Sequence, residues 1–226
     1  MKTRITKTLL DSWAYTFDCF EDCEEDAMND FIKTLRREPI EDNEYMANGR
    51  AFEALIYEIA EGRFHPEWED DGKVNPSNGE VMGHYKYPKW YSGAKQIADI
   101  IRGGQWQVHV STDLTVGGRD FWLHGYCDAV KAGVIYDIKW KKDRFYGKEV
   151  HVYGSYLHNS QHSAYLRCLP EASQFIYLVS DGEELYTETY DRTISRPIEE
   201  IIAEFMQWLE SKPELLQIYE EKWAIS

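Results

Sequence analysis

The stretch VIYDIKW, residues 134–140, sets an acidic and a basic side chain on one face of a strand, and the neighbouring segments have to be read around that pair. Every second residue of a strand shares a face, so Asp137 and Lys139 point together while Tyr136 and Ile138 point away. The preceding stretch FWLHGYCDA (121–129) alternates in the same manner, with Trp122, His124, Tyr126 and Asp128 together. A four-residue turn at 130–133 sets Asp128 across from Ile135 and Tyr126 across from Asp137. Asp128, Asp137 and Lys139 then project from one side of the sheet. The two aspartates become diagonal neighbours, roughly 7–8 Å apart at the backbone, close enough to share one metal ion.

Two carboxylates this close repel, and burying them without a partner is costly. A hard divalent cation resolves the conflict, and Lys139 adds a point positive charge beside it. Such a constellation suits an anionic substrate, phosphate above all. The Asp-x-Lys pattern alone reads better as a solvent-wet polar face on which a lysine pairs an aspartate, and Asp128 on the partner strand brings the two readings level.

A helix is expected over 149–169, where Tyr153, Leu157, Ala164 and Cys168 recur at helical spacing. Gln161 and Tyr165, four residues apart, lie in or beside that stripe. A buried glutamine needs a hydrogen-bond partner, which a backbone carbonyl can supply as well as a functional group. Taken together, Asp128, then Asp137-x-Lys139 on the next strand, then Gln161-x-x-x-Tyr165 on the next helix, resemble the PD-(D/E)XK nuclease superfamily. More narrowly they are similar to its RecB-like and phage recombination exonuclease branch. Asp137 stands where many relatives carry glutamate, a choice the pattern permits.

The resemblance implies a mixed α/β fold, a restriction-endonuclease-like core with a central mixed β-sheet flanked by helices. It also implies a metal-dependent DNA nuclease, an exonuclease acting at DNA ends in recombination or repair. Magnesium would be held by Asp128, Asp137 and the Ile138 carbonyl, with manganese able to substitute. Lys139 would orient the attacking water or stabilise developing charge, and Gln161 and Tyr165 would position the Lys139 strand or touch the phosphate backbone. In this family a helix before the sheet begins with a glycine and supplies an acid to the metal. Gly49 and Glu53 in GRAFEALIYE match that pattern. Read from its own surroundings, Glu53 is an acid at the edge of an apolar stripe reaching for water. Some relatives carry an iron–sulfur cluster on cysteines near the C-terminus; no cysteine follows Cys168 here, so no cluster is expected. DNA is the implied partner, a recombination or single-strand-annealing protein a further one, and the ring-shaped oligomers of similar exonucleases leave a homo-oligomer open.

The net charge of −15 is unusual for an enzyme of nucleic acids, whose phosphates call for a basic footprint. Lys141, Lys142, Arg144 and Lys148 nevertheless crowd one segment, with Trp140, Phe145 and Tyr146 interleaved. Basic and aromatic residues in alternation suit a groove that follows a backbone and stacks bases. A solvated loop after a strand reads the same way.

The remaining segments frame this centre. With 43% hydrophobic residues in 226, the chain can build one sizeable core, and a single domain over 1–226 is expected. Helices fill 5–62, as one over 5–37 and a second over 44–62 ended by Gly62, and 63–87 is a surface excursion able to cover a substrate channel. A helix over 92–102 stops at Gly103-Gly104. Strands follow over Gln105–Val116, Gln174–Ser180 and 184–190, with turns at Gly117-Gly118 and Asp181-Gly182. Helices at 195–224 open on Ser195 with Pro197 and on Ser211 with Pro213. No apolar run reaches membrane-span length, and MKTRITKTLL lacks the apolar core of a signal peptide, so a cytoplasmic protein without membrane contact is expected. Cys19, Cys23, Cys127 and Cys168 read as reduced thiols, the first two sharing a helix face. His124 reads as a structural histidine. Serine-nucleophile, P-loop, dinucleotide and H-E-x-x-H patterns are missing. The rivals are a non-catalytic nucleic-acid-binding or assembly protein that retains the fold, and a metal-dependent hydrolase of small phosphates.

Overall fold

The computed structural model describes residues 2–19, 23–39, 43–74, 77, 81–141 and 153–225. The chain runs β1 (Lys2–Ile5), α1 (Lys7–Asp18), α2 (Glu24–Arg36), α3 (Glu44–Ala60), β2 (Glu67–Val74), β3 (Val81–Lys86), α4 (Tyr91–Ile101), β4 (Gln105–Val116) and β5 (Arg119–Lys131). It continues with β6 (Val134–Trp140), α5 (Ser160–Cys168), β7 (Gln174–Ser180), β8 (Leu185–Tyr190), α6 (Ile198–Glu210) and α7 (Pro213–Trp223). This is the expected mixed α/β fold. A six-stranded sheet in the order β1-β5-β6-β7-β8, with β4 pairing β5, lies between two helical layers. The β1–β5 and β6–β7 pairs are parallel and the others antiparallel.

Side-chain alternation distributes two cores across the sheet. On β7, Phe175, Tyr177 and Val179 join the larger core beneath α1, α2, α5, α6 and α7, while Leu178 and Ile176 face the smaller core under α3 and α4. Burial on both faces explains why QFIYLVS reads as a continuous apolar run rather than an alternation. On β6, Ile135 faces the larger core and Tyr136, Ile138 and Trp140 the smaller. Asp137 and Lys139 therefore point into the side covered by α5.

The structure differs from the sequence reading at several points. The 5–37 segment is a strand and two helices, not one helix. Thr3 and Ile5 are buried and β1 adds to the β5 edge in parallel, after which Thr6 caps α1 by accepting from the Leu9 N–H at 3.3 Å. Cys19 and Cys23 sit at the end of α1 and the start of α2, so they share no helix face. The helix expected over 149–169 is confined to α5. Tyr153 and Leu157 lie in turns and are exposed, and 149–152 fall outside the described residues. The surface excursion is a two-stranded hairpin of β2 and β3. Ser195 and Ser211 are not N-caps: Pro197 and Lys212 hold those positions, and the Ser211 hydroxyl donates to the Trp208 carbonyl.

The β5–β6 turn is also tighter than expected. Val130 and Lys131 belong to the ladder, Lys131 pairs Val134, and only Ala132 and Gly133 turn, both at positive φ (51° and 75°). Two left-handed residues match the twist of the strands they join. The register consequently moves by two residues. An even shift preserves which face each side chain occupies.

Candidate active site

β5 pairs β1 along Asp120–Leu123 and β6 along Ala129–Lys131, leaving 124–128 between the two ladders. At the end of this gap Asp128 takes over the role of a ladder carbonyl, its Oδ2 accepting the Ile138 N–H at 2.7 Å. The opposite edge is interrupted at the same place. Gln107, with φ 48°, and Asp128 drop out of the β4–β5 pairing between Trp106–Ala129 and Val108–Cys127. Val108 and Cys127 belong to the larger core, whereas Trp106 and Ala129 belong to the smaller. The faces thus exchange at Asp128. Its carboxylate reaches β6 at Ile138, while Trp122, His124 and Tyr126 remain on the other face, contrary to regular alternation.

Around it the expected residues assemble. Lys139 Nζ lies 2.6 Å from Asp137 Oδ2 and donates to Gln161 Oε1 at 3.3 Å. Gln161 in turn donates through Nε2 to Asp137 Oδ1. Asp137 and Gln161 are buried, but the Lys139 side chain keeps 28% of its surface exposed, so the cluster opens to solvent on the lysine side. Burial, then the neighbouring Asp137 and Glu53 charges, push the Asp128 pKa well up, against the pull of the Ile138 N–H and Lys139. Burial works against the Lys139 charge, yet Asp137, with Asp128 and Asp11 behind it, outweighs that and raises its pKa. The Tyr177 ring lies 6.0 Å from the ammonium and stacks on Tyr156.

α5 is held over this cluster by two contacts. Asp11 of α1 accepts from the Ser160 N–H (2.8 Å) and hydroxyl (2.7 Å), capping the helix from a distant element in place of the adjacent Asn159 side chain. Tyr165 is buried against Gly125. A Cβ there would stand 2.5 Å from the Tyr165 ring, so only glycine lets the helix approach so closely. Burial and the Asp137 charge raise the Tyr165 pKa, keeping the phenol protonated.

Glu53 reaches the cluster indirectly. The Tyr57 hydroxyl donates to Glu53 Oε1 at 2.6 Å and lies 3.1 Å from the Asp128 carbonyl, and Gln107 Nε2 donates to the same Glu53 oxygen at 2.6 Å. Tyr57 and Gln107 escaped the sequence reading. Tyr57 carried a signal, being four residues beyond Glu53 on one helix face; the left-handed backbone of Gln107 carried none. Ile138 contributes its N–H to Asp128. Of the basic segment, Lys142, Arg144 and Lys148, with Phe145 and Tyr146, lie outside the described residues. Lys141 sits 5.1 Å from the Tyr156 ring, and Trp140 is buried against Tyr45 and Trp90, not free to stack a base.

The donors are the hard oxygens that magnesium or manganese takes. Asp137 Oδ2 is buried against the Lys139 ammonium, and burial beside Asp137 and Glu53 disfavours the charged form of Asp128, a penalty that a cation would relieve. In kind the residues fit a divalent cation. In spacing they form a proton-donor network: among the described residues no three His, Cys, Asp or Glu side chains converge on one point. Among the described residues, too, no helix is long and apolar enough to cross a membrane.

No family model matches the sequence, and no curated protein matches it. Among solved structures, the crystal structure of SSO0001 is similar over 94% of this chain and 78% of its own, with a TM-score of 0.50 at 12% identity. That of LHK-Exo in complex with dAMP is similar over 96% and 93%, with a TM-score of 0.47 at 13% identity. At 12% identity the likeness to SSO0001 is one of fold: a mixed sheet with flanking helices.

Proposed function

We propose that the chain is a metal-dependent DNA nuclease, and more finely an exonuclease that hydrolyses phosphodiester bonds at DNA ends in recombination or repair. One observation carries this reading. Asp128, Asp137, Lys139 and Gln161 meet where two β-ladders part, so that two carboxyl groups share one lysine.

Asp128 and Asp137 would hold the magnesium ion, with Glu53 at the edge and the Ile138 carbonyl as a further oxygen. When bound, such an ion lowers the pKa of its water and polarises a phosphoryl oxygen. Gln161 fixes the plane of the Asp137 carboxylate. Lys139, positively charged and open to solvent on one side, turns its N–H donors to the charge developing on the phosphate. Tyr57 and Gln107 orient Glu53, and Asp11 keeps α5 seated. The second reading, a nucleic-acid-binding or assembly protein that retains the fold, is favoured by the direct Lys139–Asp137 ion pair and by the carboxylates not converging.

The test is degradation of end-labelled linear and closed circular DNA with magnesium, beside Asp137→Ala and Lys139→Ala. Loss of linear DNA alone, abolished by both substitutions, is the expected result. Cutting of circles keeps the site and changes the reaction to an internal one. A folded protein inert with magnesium and manganese on every form sinks the nuclease reading in favour of binding.

A further inference from the structure

The outer face of β4 and β5 carries a feature that the carboxylate cluster does not use. Phe121, Leu123 and Cys127 of β5 enter the larger core, so Trp122, His124 and Tyr126 point to the opposite side. His109 of β4 and Arg4 of β1 share that side. α3 and α4 cover it only from Ala129 and Trp106 onward, where the smaller core begins. Beyond that line Tyr126 is 57% exposed and His109 is exposed as well.

The rings on this face are ordered against one another. Trp122 and His124 stack at 4.2 Å with 14° between planes. The His109 ring lies 5.0 Å from Tyr126 and 6.2 Å from both Trp122 and His124. The Arg4 guanidinium sits 5.9 Å over Trp122. A contiguous aromatic surface left open to water marks an interaction site more often than a random exposure.

Charge selects the partner. Arg36, Arg63, Arg102, Arg119, Arg167 and Arg196 each sit against a carboxylate. Among the described residues Arg4 has no carboxylate partner, and its Nε is buried without an acceptor. Arg37 lies over Trp223 and bonds only a carbonyl. Burial, then His109, Arg4 and Arg37, depress the His124 pKa; of the two guanidinium groups Arg4 stands on this face over Trp122, while Arg37 packs on Trp223 of the larger core. Of the acids sharing this face, Asp113 is ion-paired with Lys2 at 2.6 Å, and Asp120 accepts from the Thr115 hydroxyl at 2.7 Å and keeps its charge. In a chain of net charge −15, an aromatic surface topped by an arginine without a carboxylate partner fits a polyanion that also carries flat rings.

The face also adjoins the cluster in the chain. Tyr126 lies two residues before Asp128, and His109 lies two residues after Gln107, which holds Glu53. From Trp122 to Tyr126 the strand covers about 13 Å, and sheet surfaces of this kind stack about two or three bases. We propose that the outer face of β4 and β5 binds a single nucleic-acid strand, stacking its bases on Tyr126, His109 and the Trp122–His124 pair, with a phosphate at Arg4. This inference rests on the phosphodiesterase reading for its purpose, but not for its test. A blunt duplex hides its base faces within its own stack and binds this surface poorly.

Binding is measured without divalent metal, in chelator, so that it is independent of hydrolysis. A labelled oligothymidylate and a blunt duplex of equal length are titrated by anisotropy, with tryptophan quenching as a second signal. The expected result is at least about tenfold tighter binding of the single strand, weakened about tenfold by Tyr126→Ala and by His109→Ala. Arg4→Gln flattens the salt dependence. Both rings are exposed, and unchanged circular dichroism confirms that their variants fold. Strand binding lost in these variants, in a protein with no nuclease activity, upholds the platform and sinks the nuclease reading. Equal affinity for strand and duplex, or binding unmoved by both ring substitutions, overturns the platform. So does a concentration-dependent dimer that Tyr126→Ala disperses, since the face would then seat a second copy of the chain.

Discussion

Gln161 and His162 are neighbours on α5, both almost wholly buried, and their surroundings treat charge in opposite ways. Gln161 bridges the Asp137 carboxylate and the Lys139 ammonium, which form an ion pair at 2.6 Å. His162 stacks on Tyr190 at 4.3 Å and meets the Tyr177 hydroxyl at 3.3 Å, and burial, despite the Glu188 charge, lowers its pKa to about 4. At neutral pH it is an uncharged ring among rings. A polar residue buried for architecture is driven to neutrality, whereas one buried at a reactive centre holds charges that the fold would be more stable without.

The comparison can be broken most sharply through activity. Gln161→Leu should cut degradation of linear DNA by on the order of a hundredfold, because it frees the Asp137 carboxylate to rotate. His162→Phe should leave the rate within about twofold. Equal losses in a steady-state rate assay would show that both residues serve packing alone.

A second contrast appears in stability against pH. The native pKa of His162 lies below its unfolded value near 6.5, so the unfolded chain binds the proton first. The resulting stability is present above about pH 6.5 and is lost as the pH falls toward about 4, amounting to about 3 kcal/mol. Urea midpoints for the wild type should fall across that window, and His162→Phe should flatten the fall. Asp128 works in the other direction. Its native pKa is raised, so the folded state takes up the proton more readily and gains stability as the pH drops through that value.

The smallest expected effect concerns that same carboxylate. Asp128→Asn keeps an acceptor for the Ile138 N–H while removing a carboxylate whose charged form is disfavoured by burial, Asp137 and Glu53. It should raise stability at pH 7 by about 1 kcal/mol while activity is lost. A loss of stability instead, read from the urea midpoint, would mean that the Asp128 charge supports the fold, and the distinction from His162 would dissolve.

Much of the fold was legible from local pattern. Gln105–Val116 and Gln174–Ser180 alternate or run apolar between glycine-bearing turns, and both are strands at those bounds. β1 was not legible, because four residues leading into a helix carry too little periodicity to stand apart from it. The end of the helix expected from 149 was likewise hidden. Tyr153 and Leu157 keep helical spacing with Ala164, but spacing cannot tell whether a stripe finds a surface to cover.

In the candidate site, local chemistry determined that Asp137 and Lys139 share a face, since the two-residue period of a strand is a property of the backbone itself. It also determined that Gln161 and Tyr165 fall on one side of a helix. Only the tertiary structure decided that Asp128 joins them. Regular alternation sends it outward with Tyr126, and it turns in because Gln107 adopts a left-handed backbone and β5 is left unpaired between β1 and β6. One of the two ladders that part belongs to β1, more than a hundred residues before β5 in the chain, and no spacing within one segment can encode where two ladders part.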